Sequence, residues 1–309
     1  MKRLGLLDRN TGMSHLNRPY INDADDIIDI RIDRVFKAVF TRNTQESRGA
    51  LSKLISALIC REVRIETISD NEPPVDDLRE RQIRFDINCK ALTGELINVE
   101  MSLNPSPFEP IRLEYYGGKL FTGQGIRGEG KNYIHLNQVY QIAILAKEKF
   151  FDDRVFIHTF EYYDPVNGIS LNGKTKIITL ELSKLNKIVE KPIKETSSQE
   201  RWALFFEYLT VKEKRGKINE VIEQEEGIAM ASKEVIKFSK DEIERARLIS
   251  EEKYELDTRT RIYVAKLEGE RKGVRKGERK GERKIIDLLK SGKSPEEIIS
   301  EYEKVIRDK

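Results

Sequence analysis

Apolar and polar residues alternate most regularly between residues 84 and 103, and this pattern predicts two β-strands joined by a tight turn. A two-residue turn at Thr93 and Gly94 would place Asp86 and Glu100 on opposite faces of the hairpin. A three-residue loop that ends at Gly94 would instead place them directly opposite each other on one face. The third position of such a loop needs a positive φ, which glycine adopts without steric cost.

The side chains favour the three-residue loop, because each face of the resulting hairpin then carries one type of residue. The apolar face consists of Phe85, Ile87, Cys89, Ile97, Val99 and Met101. The polar face consists of Asp86, Asn88, Asn98, Glu100 and Ser102. The sequence therefore predicts a hairpin with one buried face and one polar face that carries two carboxylates.

Two facing carboxylates repel each other unless a cation lies between them. Asp86 and Glu100 would suit Mg²⁺ or Mn²⁺, since such ions are commonly held by one or two carboxylates together with water. The alternative is a hairpin whose solvated face is simply acidic, and antiparallel hairpins with one solvated face are common. The hairpin residues alone leave both interpretations open.

Helical and strand patterns alternate along the chain up to about residue 190. Helical periodicity occurs in residues 33–40, in residues 51–58 and from about residue 111 onwards. Strand patterns occur in residues 62–67, 139–145, 154–163 and 176–182. Strands interleaved with helices predict an α/β or α+β domain.

Glycine recurs at every fourth position from residue 269 to residue 281. Residues 266–284 carry nine Lys or Arg and four Glu, which gives this segment a net charge of +5. Each glycine costs a helix up to about 1 kcal/mol, so the pattern favours a solvated linker or a flexible basic arm. A marginal helix that packs on a partner helix is the alternative.

The end of the chain predicts two short helices separated at Gly292, with Ser294 and Glu297 as a capping box for the second helix. The patterns divide the chain into a flexible leader, an α/β core, a charged helical region, and a basic repeat with short amphipathic helices. These segments span residues 1–20, 21–190, 191–265 and 266–309, respectively.

Composition narrows the class of protein. Charged residues make up 35% of the chain, above the usual quarter or so, which indicates long exposed helices or a tail beside a globular part. Cys60 and Cys89 lie in apolar periodic stretches and have neither CxxC nor metal-ligand spacing, so we interpret them as small core residues in a reducing compartment. No apolar run approaches a membrane span, and the first residues are not apolar enough for a signal peptide. We therefore expect a cytoplasmic protein without a membrane segment.

The histidines and one acidic pair carry no catalytic prediction. His15 lies in the leader, and His135 and His158 occur singly in apolar segments, so we interpret them as surface or core residues. We interpret Asp152 and Asp153 as a solvated turn.

Several short motifs occur in a fixed order along the chain. They are Asp33-x-x-Phe36-Lys37-x-x-Phe40, Phe85-Asp86-Ile87, Val99-Glu100-Met101, Arg112-x-x-Tyr115-Tyr116-x-x-Lys119-Leu120, Gly128-Glu129-x-x-x-Tyr133 and Glu181-Leu182-x-Lys184. Their order and spacing resemble the recombination-promoting nucleases, a transposase family of the PD-(D/E)XK superfamily. The segment around Trp202, the glycine repeat and the closing LLKSGKSPEEI also resemble that family, so the resemblance covers nearly everything after residue 30.

The resemblance implies an α/β fold like that of restriction endonucleases, with a mixed sheet flanked by helices and a charged helical C-terminal extension. It implies a DNA endonuclease that depends on Mg²⁺ or Mn²⁺ and acts in recombination or transposition. Carried over by position, Asp86 and Glu100 are the metal ligands, and Asp33 is the acid from the preceding helix. The residues expected to contact DNA are Lys37, Arg84, Arg112, Tyr116 and Gln124.

One position departs from the family pattern. Two residues after Glu100 the family carries glutamine, and the wider superfamily lysine, whereas this chain has Ser102. Because that residue helps to position the attacking water, Ser102 is a candidate catalytic residue, and Lys90 and Lys119 are candidates for a displaced lysine.

The departure leaves two alternatives to an active nuclease. One is a catalytically weakened DNA-binding or assembly protein, since a fold does not determine its chemistry. The other is a scaffold that forms homo-oligomers through its charged C-terminal helices. Retention of Asp33, Asp86 and Glu100 together favours the active enzyme.

Overall fold

The computed structural model describes residues 18–69, 86–126, 132–147 and 149–300 of the chain. Most of the predicted leader, together with Arg84 and Phe85, lies outside these residues. The contacts of the chain divide into two compact units at the boundary between Arg245 and Ala246. The boundary predicted at residue 190 does not coincide with this division, because the helices that follow it pack within the first unit.

A six-stranded mixed sheet forms the centre of the first unit. Its strands are β1 (Ile65–Ser69), β2 (Ile87–Ala91), β3 (Leu96–Ser102), β4 (Val139–Leu145), β5 (Ile157–Phe160) and β8 (Thr175–Glu181), and the short strands β6 (Tyr163–Asp164) and β7 (Ile169–Ser170) form a separate hairpin. The order across the sheet is β1-β2-β3-β4-β8-β5, with β3, β4 and β8 parallel and the other neighbours antiparallel. The predicted mixed sheet is confirmed.

Helices of the first unit flank this sheet. They are α1 (Asp33–Thr41), α2 (Gln45–Ile59), α3 (Glu109–Thr122), α4 (Ser198–Tyr208), α5 (Arg215–Gln224) and α6 (Glu226–Lys240). Helix α7 (Glu242–Lys290) begins at the end of the first unit and lies mostly in the second. Helix α3 connects β3 to β4, because adjacent parallel strands require a crossover, and it packs on β4 and β8. Within the described part of the chain, no helix combines the length and the apolar character that a membrane span requires.

The helices beside β1 and β2 share an aromatic core. The Phe36 and Phe40 rings of α1 lie 5.0 Å apart, centroid to centroid. The Phe206 ring lies 6.1 Å from Phe36 and 6.3 Å from Phe40, and the Trp202 ring lies 6.1 Å from Phe40. All four side chains are almost completely buried. Helix α4 lies in the segment predicted as a charged helical region. Its aromatic residues nevertheless belong to the core of the first unit.

The glycine repeat is helical, so the favoured interpretation of a linker is wrong. Helix α7 continues through the repeat to Lys290, and a Cβ added at any of its four glycines would meet no neighbour within 4 Å. The intervening Glu, Lys and Arg residues are strong helix formers, and their propensity offsets the cost of the glycines.

The predicted break and cap after α7 are confirmed. Gly292 adopts a φ of 90° and ends the helical path. The Glu297 N–H donates to Ser294 Oγ at 3.2 Å, and the Ser294 N–H donates to Glu297 Oε2 at 2.9 Å. These two bonds are the reciprocal pair of a capping box.

Gly227, the second residue of α6, allows α6 to lie close to α2 and α4. A Cβ added there would lie 2.4 Å from Lys53 Cβ and 3.0 Å from the Trp202 ring. We expect Gly227→Ala to lower the thermal unfolding temperature, because overpacking a well-packed contact costs about 1–3 kcal/mol. Thermal denaturation followed by circular dichroism measures the change.

Gly216→Ala is the matched control for this substitution. Gly216 is likewise the second residue of its helix, α5, and a Cβ added there would meet no neighbour within 4 Å. The control should be neutral or slightly stabilising. Equal losses in the two variants would contradict the close contact at Gly227.

Candidate active site

The β2–β3 hairpin positions the two predicted carboxylates. Gly94 adopts a φ of 98°, and the Ala91 N–H donates to the Glu95 carbonyl at 2.9 Å. This is the three-residue loop predicted from the sequence, and the observed strand register extends it. Asp86, one residue before β2, is therefore opposite Glu100 of β3.

Glu100 is buried in the sheet, with 2% of the residue exposed. Asn98 Nδ2 donates to Glu100 Oε1 at 2.9 Å. Arg112 Nη2 lies 3.2 Å from Oε2, an ion-pair distance, but no group in the described residues donates a well-aligned hydrogen bond to this oxygen. Burial raises the pKa of Glu100 to about 7, Arg112 opposes this shift, and the charge of Asp86 adds to it.

Lys37 of α1 connects the other two acids. Lys37 Nζ lies 3.0 Å from Asp33 Oδ1 and 3.3 Å from Asp86 Oδ1. Burial and the charge of Asp33 raise the pKa of Asp86 to about 6, although Lys37 and the Met101 N–H, which donates to Asp86 Oδ2 at 3.1 Å, favour the carboxylate. Burial lowers the pKa of Lys37, but the two carboxylates raise it by more, so the net shift is upward and this side chain stays cationic.

Two buried amides extend the site below Glu100. Asn98 Nδ2 donates to Gln141 Oε1 of β4 at 2.9 Å as well as to Glu100, and both amide side chains are completely buried. Asn98 Oδ1 and Gln141 Nε2 have no hydrogen-bond partner among the described residues. Gln141 was not among the predicted site residues, although one polar residue inside a strand that is otherwise apolar was an available signal.

Helix α3 brings Arg112 and Tyr116 to the polar face of the hairpin. Arg112 contacts Glu109 as well as Glu100, and its guanidinium carbon lies 5.5 Å from the centre of the Tyr116 ring. Burial and the charge of Glu100 raise the pKa of Tyr116. Because α3 covers this face, Glu100 is buried, and the interpretation of a solvated acidic face is wrong at β3.

The described part of the chain also contains three further predicted residues. The Gln124 amide donates to the Asn137 carbonyl at 3.1 Å and accepts the Asn137 N–H at 2.7 Å, which ties the end of α3 to the segment before β4. Lys119 Nζ lies 5.8 Å from the centre of the Tyr115 ring. Ser102 is the half-buried last residue of β3. Their catalytic or DNA-binding roles stay predictions.

A second cluster of ionisable groups lies at β5 and β8. Asp153, His158 and Glu181 bring potential metal ligands within 4.8 Å of one another. However, Lys184 Nζ, in a side chain that is 4% exposed, lies 2.7 Å from Asp153 Oδ1 and 2.6 Å from Glu181 Oε1. Because an ammonium already neutralises these carboxylates, we interpret the cluster as an ion-pair network.

No sequence pattern predicted this ion-pair network. The interpretation of Asp153 as a solvated turn residue is therefore incomplete. Asp153 accepts a hydrogen bond from Lys184 and contacts His158, whose Nε2 lies 3.0 Å from Asp153 Oδ2. The pairing of β5 with β8 brings these residues together. Glu181 and Lys184 belonged to a recognised motif, which was the one available signal.

The Asp86–Glu100 pair fits a divalent ion. Mg²⁺ is usually held by one or two carboxylates, water and phosphate oxygens. Burial raises the pKa of both carboxyl groups, and Glu100 Oε2 lacks a hydrogen-bond donor within the part of the chain that is described. A cation between them would relieve the repulsion of two buried negative charges.

A model of the PD-(D/E)XK nuclease family transposases matches residues 30–265, which is more than half of the chain. The chain belongs to this family. The match confirms the resemblance drawn from the ordered motifs, and the mixed sheet flanked by helices agrees with it. No curated protein and no solved structure matches the chain.

Burial of Glu100 should make the protein less stable as the pH rises. Its pKa is about 7 in the folded protein and 4.5 for an ordinary solvated glutamate, so the folded state binds more protons between these values and the free energy of unfolding falls through this window. Above pH 7 we expect the free energy of unfolding of Glu100→Gln to exceed that of the wild type by on the order of 1–3 kcal/mol. This advantage should disappear below about pH 4.5, the ordinary pKa of glutamate. Thermal unfolding over a pH series without divalent ions measures it.

Glu95→Gln, at the turn end of the same hairpin, is the matched control. Burial alone would raise the pKa of Glu95, but the Thr93 hydroxyl and the Arg61 guanidinium lower it overall. The carboxylate of Glu95 therefore stabilises the fold at neutral pH, and its removal should have the opposite sign. If the two variants shifted stability in the same direction at every pH, the assigned environment of Glu100 would be wrong.

Proposed function

We propose that this protein is a metal-dependent DNA endonuclease that acts in recombination or transposition. The observation that carries the proposal is a pair of carboxyl groups, the buried Glu100 and the partly buried Asp86, which share one face of the β2–β3 hairpin and have raised pKa values. The family supports a nuclease reaction, and a nuclease of this family implies DNA as the substrate.

A divalent ion, Mg²⁺ or Mn²⁺, held by Asp86 and Glu100 would lower the pKa of its bound water and offset the negative charge that develops during phosphodiester hydrolysis. Hydrogen bonds orient both carboxylates. Asn98 donates to Glu100 Oε1 and leaves Oε2 without an aligned donor within the described residues. The Met101 N–H fixes Asp86 in a similar way through Oδ2.

Lys37 is our candidate for the displaced lysine. It contacts Asp86, whereas Lys90 pairs with Glu66 at 2.9 Å and lies four residues, about 13 Å, from Asp86 along the chain. Lys119 lies nearly two helical turns beyond the arginine that reaches Glu100. Because Lys37 stays protonated, it would orient water or stabilise developing negative charge rather than accept a proton.

Arginines and lysines would supply most of the binding energy for DNA through contacts with phosphates, which gives binding that depends on salt and little on sequence. The Arg112 side chain is 41% exposed although it pairs with Glu100, so it is available to a phosphate. The basic helical segment 266–284, with its net charge of +5, provides a second such surface.

Ser102 supports the second candidate function, a catalytically weakened DNA-binding or assembly protein on the same fold. A serine side chain is too short to replace the lysine or glutamine that normally follows the metal-binding glutamate. Homo-oligomers formed through the C-terminal helices would suit this role and stay a prediction. The free thiols of Cys60 and Cys89 agree with the proposed cytoplasmic location.

We expect the purified protein to cleave plasmid DNA with Mg²⁺ or Mn²⁺ and not with a chelator. Glu100→Gln should abolish cleavage, because it removes a charged ligand while preserving size. Glu95→Gln removes a carboxylate from the same hairpin, away from Asp86, and should retain activity. Equal cleavage by wild type and Glu100→Gln would reject the proposed function.

The water-positioning residue is tested in the same cleavage assay. We expect Lys37→Ala to lower the rate by on the order of 10²-fold or more, the usual contribution of a positioned catalytic group. Ser102→Gln should raise the rate modestly, because its longer side chain can reach the attacking water. Lys119→Ala is the control with little expected effect. A protein that tolerates Lys37→Ala but needs Lys119 would contradict our assignment.

A further inference from the structure

A cavity of about 260 Å³ opens beside the N-terminal half of α3, between this helix and strands β5 and β8. Aromatic side chains form one wall, namely Phe150, Phe151, Phe160 and Tyr162. The Phe151 and Phe160 rings lie 5.3 Å apart, and Phe160 also stacks on His158. The wall is therefore a packed group of aromatic rings, and the cavity beside it has the size of a small ligand site.

The cavity lies on the same face of the sheet as Glu100. Glu100 aligns with Ala143 of β4, which aligns with Thr179 of β8, a residue that lines the cavity. Aligned residues of neighbouring parallel strands point to the same face, and each strand spacing is about 4.8 Å. Thr179 is therefore about 10 Å from Glu100 across the sheet, on the other side of α3.

A buried hydroxyl on the cavity wall lacks a partner. Thr179 is 1% exposed, and its Oγ1 makes no hydrogen bond within the described residues. Because this oxygen is itself buried, it is not open to a ligand in the cavity. Glu114 and Glu161 also line the cavity, and their carboxylates favour groups that donate hydrogen bonds and repel phosphate.

Two of the aromatic rings at the cavity are open to solvent. Phe160 is 41% exposed and Tyr162 is 53% exposed. Exposed aromatic rings that gather at one concave site mark a binding surface, whereas single exposed rings do not. Planar rings and carboxylate acceptors together are the chemistry that recognises a nucleobase: stacking on its face and hydrogen bonds to its edge.

We propose that this cavity takes one unstacked nucleobase of the substrate DNA, from a nucleotide close to the bond that is cleaved. The inference rests on the proposed function, since it assumes that DNA reaches Glu100. The strand passes around the N-terminus of α3, where Arg112 faces the carboxylate pair and Pro110, Leu113 and Glu114 face the cavity. The substrate is thus single-stranded or locally unpaired DNA, because a paired base cannot enter.

The test measures binding rather than cleavage, with full-length Glu100→Gln protein and no divalent ion. Fluorescence anisotropy gives the affinity for a short single-stranded oligonucleotide and for versions with one abasic nucleotide at successive positions. We expect the abasic site to weaken binding roughly tenfold at one position, as loss of one stacked base does. Phe160→Ala should weaken binding of the intact strand by a similar factor and remove that position effect.

Tyr162→Ala removes the second exposed ring of the cavity, so it should also weaken binding of the intact strand several-fold. Tyr163→Ala is its matched control, because Tyr163 is 58% exposed and does not line the cavity. Tyr133→Ala is the control for Phe160→Ala, because Tyr133 is 78% exposed and does not line the cavity. Both controls should bind like the parent protein.

Equal affinity for the intact strand and every abasic version, or a position effect that survives Phe160→Ala, overturns the base-binding cavity. So does equally tight binding of free nucleosides, because the site would then not be specific for a DNA strand. These results leave the endonuclease proposal intact if wild-type protein still cleaves DNA. Absence of both DNA binding and cleavage overturns the proposed function as well.

Discussion

Placing a carboxylate inside a sheet is unfavourable, because the removal of a charged group from water costs several kcal/mol even after the protein relaxes. Glu100 is nevertheless buried in β3, and the neighbouring groups compensate its negative charge only in part. Asn98 occupies one oxygen, and Arg112 approaches the other. Helix α3 carries Arg112 and covers the polar face of the hairpin, so the crossover between β3 and β4 also brings a cation to Glu100.

The cations at the site come from distant parts of the chain. Lys37 of α1 lies between Asp33 and Asp86, and Arg112 of α3 lies beside Glu100. These side chains limit the repulsion between acids but leave the pKa of both buried carboxyl groups raised. A site that is incompletely neutralised lowers stability and favours a divalent ion, the usual compromise between stability and function at active sites.

One face of the sheet carries three distinct polar or concave features in neighbouring strands. The carboxylate pair lies at β2 and β3, the cavity lies against β8, and Lys184 neutralises the ion-pair network at the end of β8. The parallel register of β3, β4 and β8 aligns them. The difference between the two acidic groups is physical: a buried lysine already satisfies one, whereas burial keeps the pKa of the other raised.

The sequence by itself determined the hairpin and its register, because both depend on local rules. Side chains alternate with a period of two, and the loop needs Gly94 at a position with positive φ, so Asp86 had to face Glu100. The capping box at Ser294 is equally local. The order of the motifs was enough to recognise the family, since it requires no knowledge of the packing.

Only the tertiary structure decided which side chains complete the site. Gln141 reaches Asn98 across 43 residues of chain, and Lys37 reaches Asp86 from another helix, through contacts that no local pattern encodes. The helical state of the glycine repeat, by contrast, has a local reason, because the residues between the glycines favour a helix and offset the glycine penalty. Periodicity fixes which way a side chain faces, whereas its partners and its charge state depend on how distant elements pack.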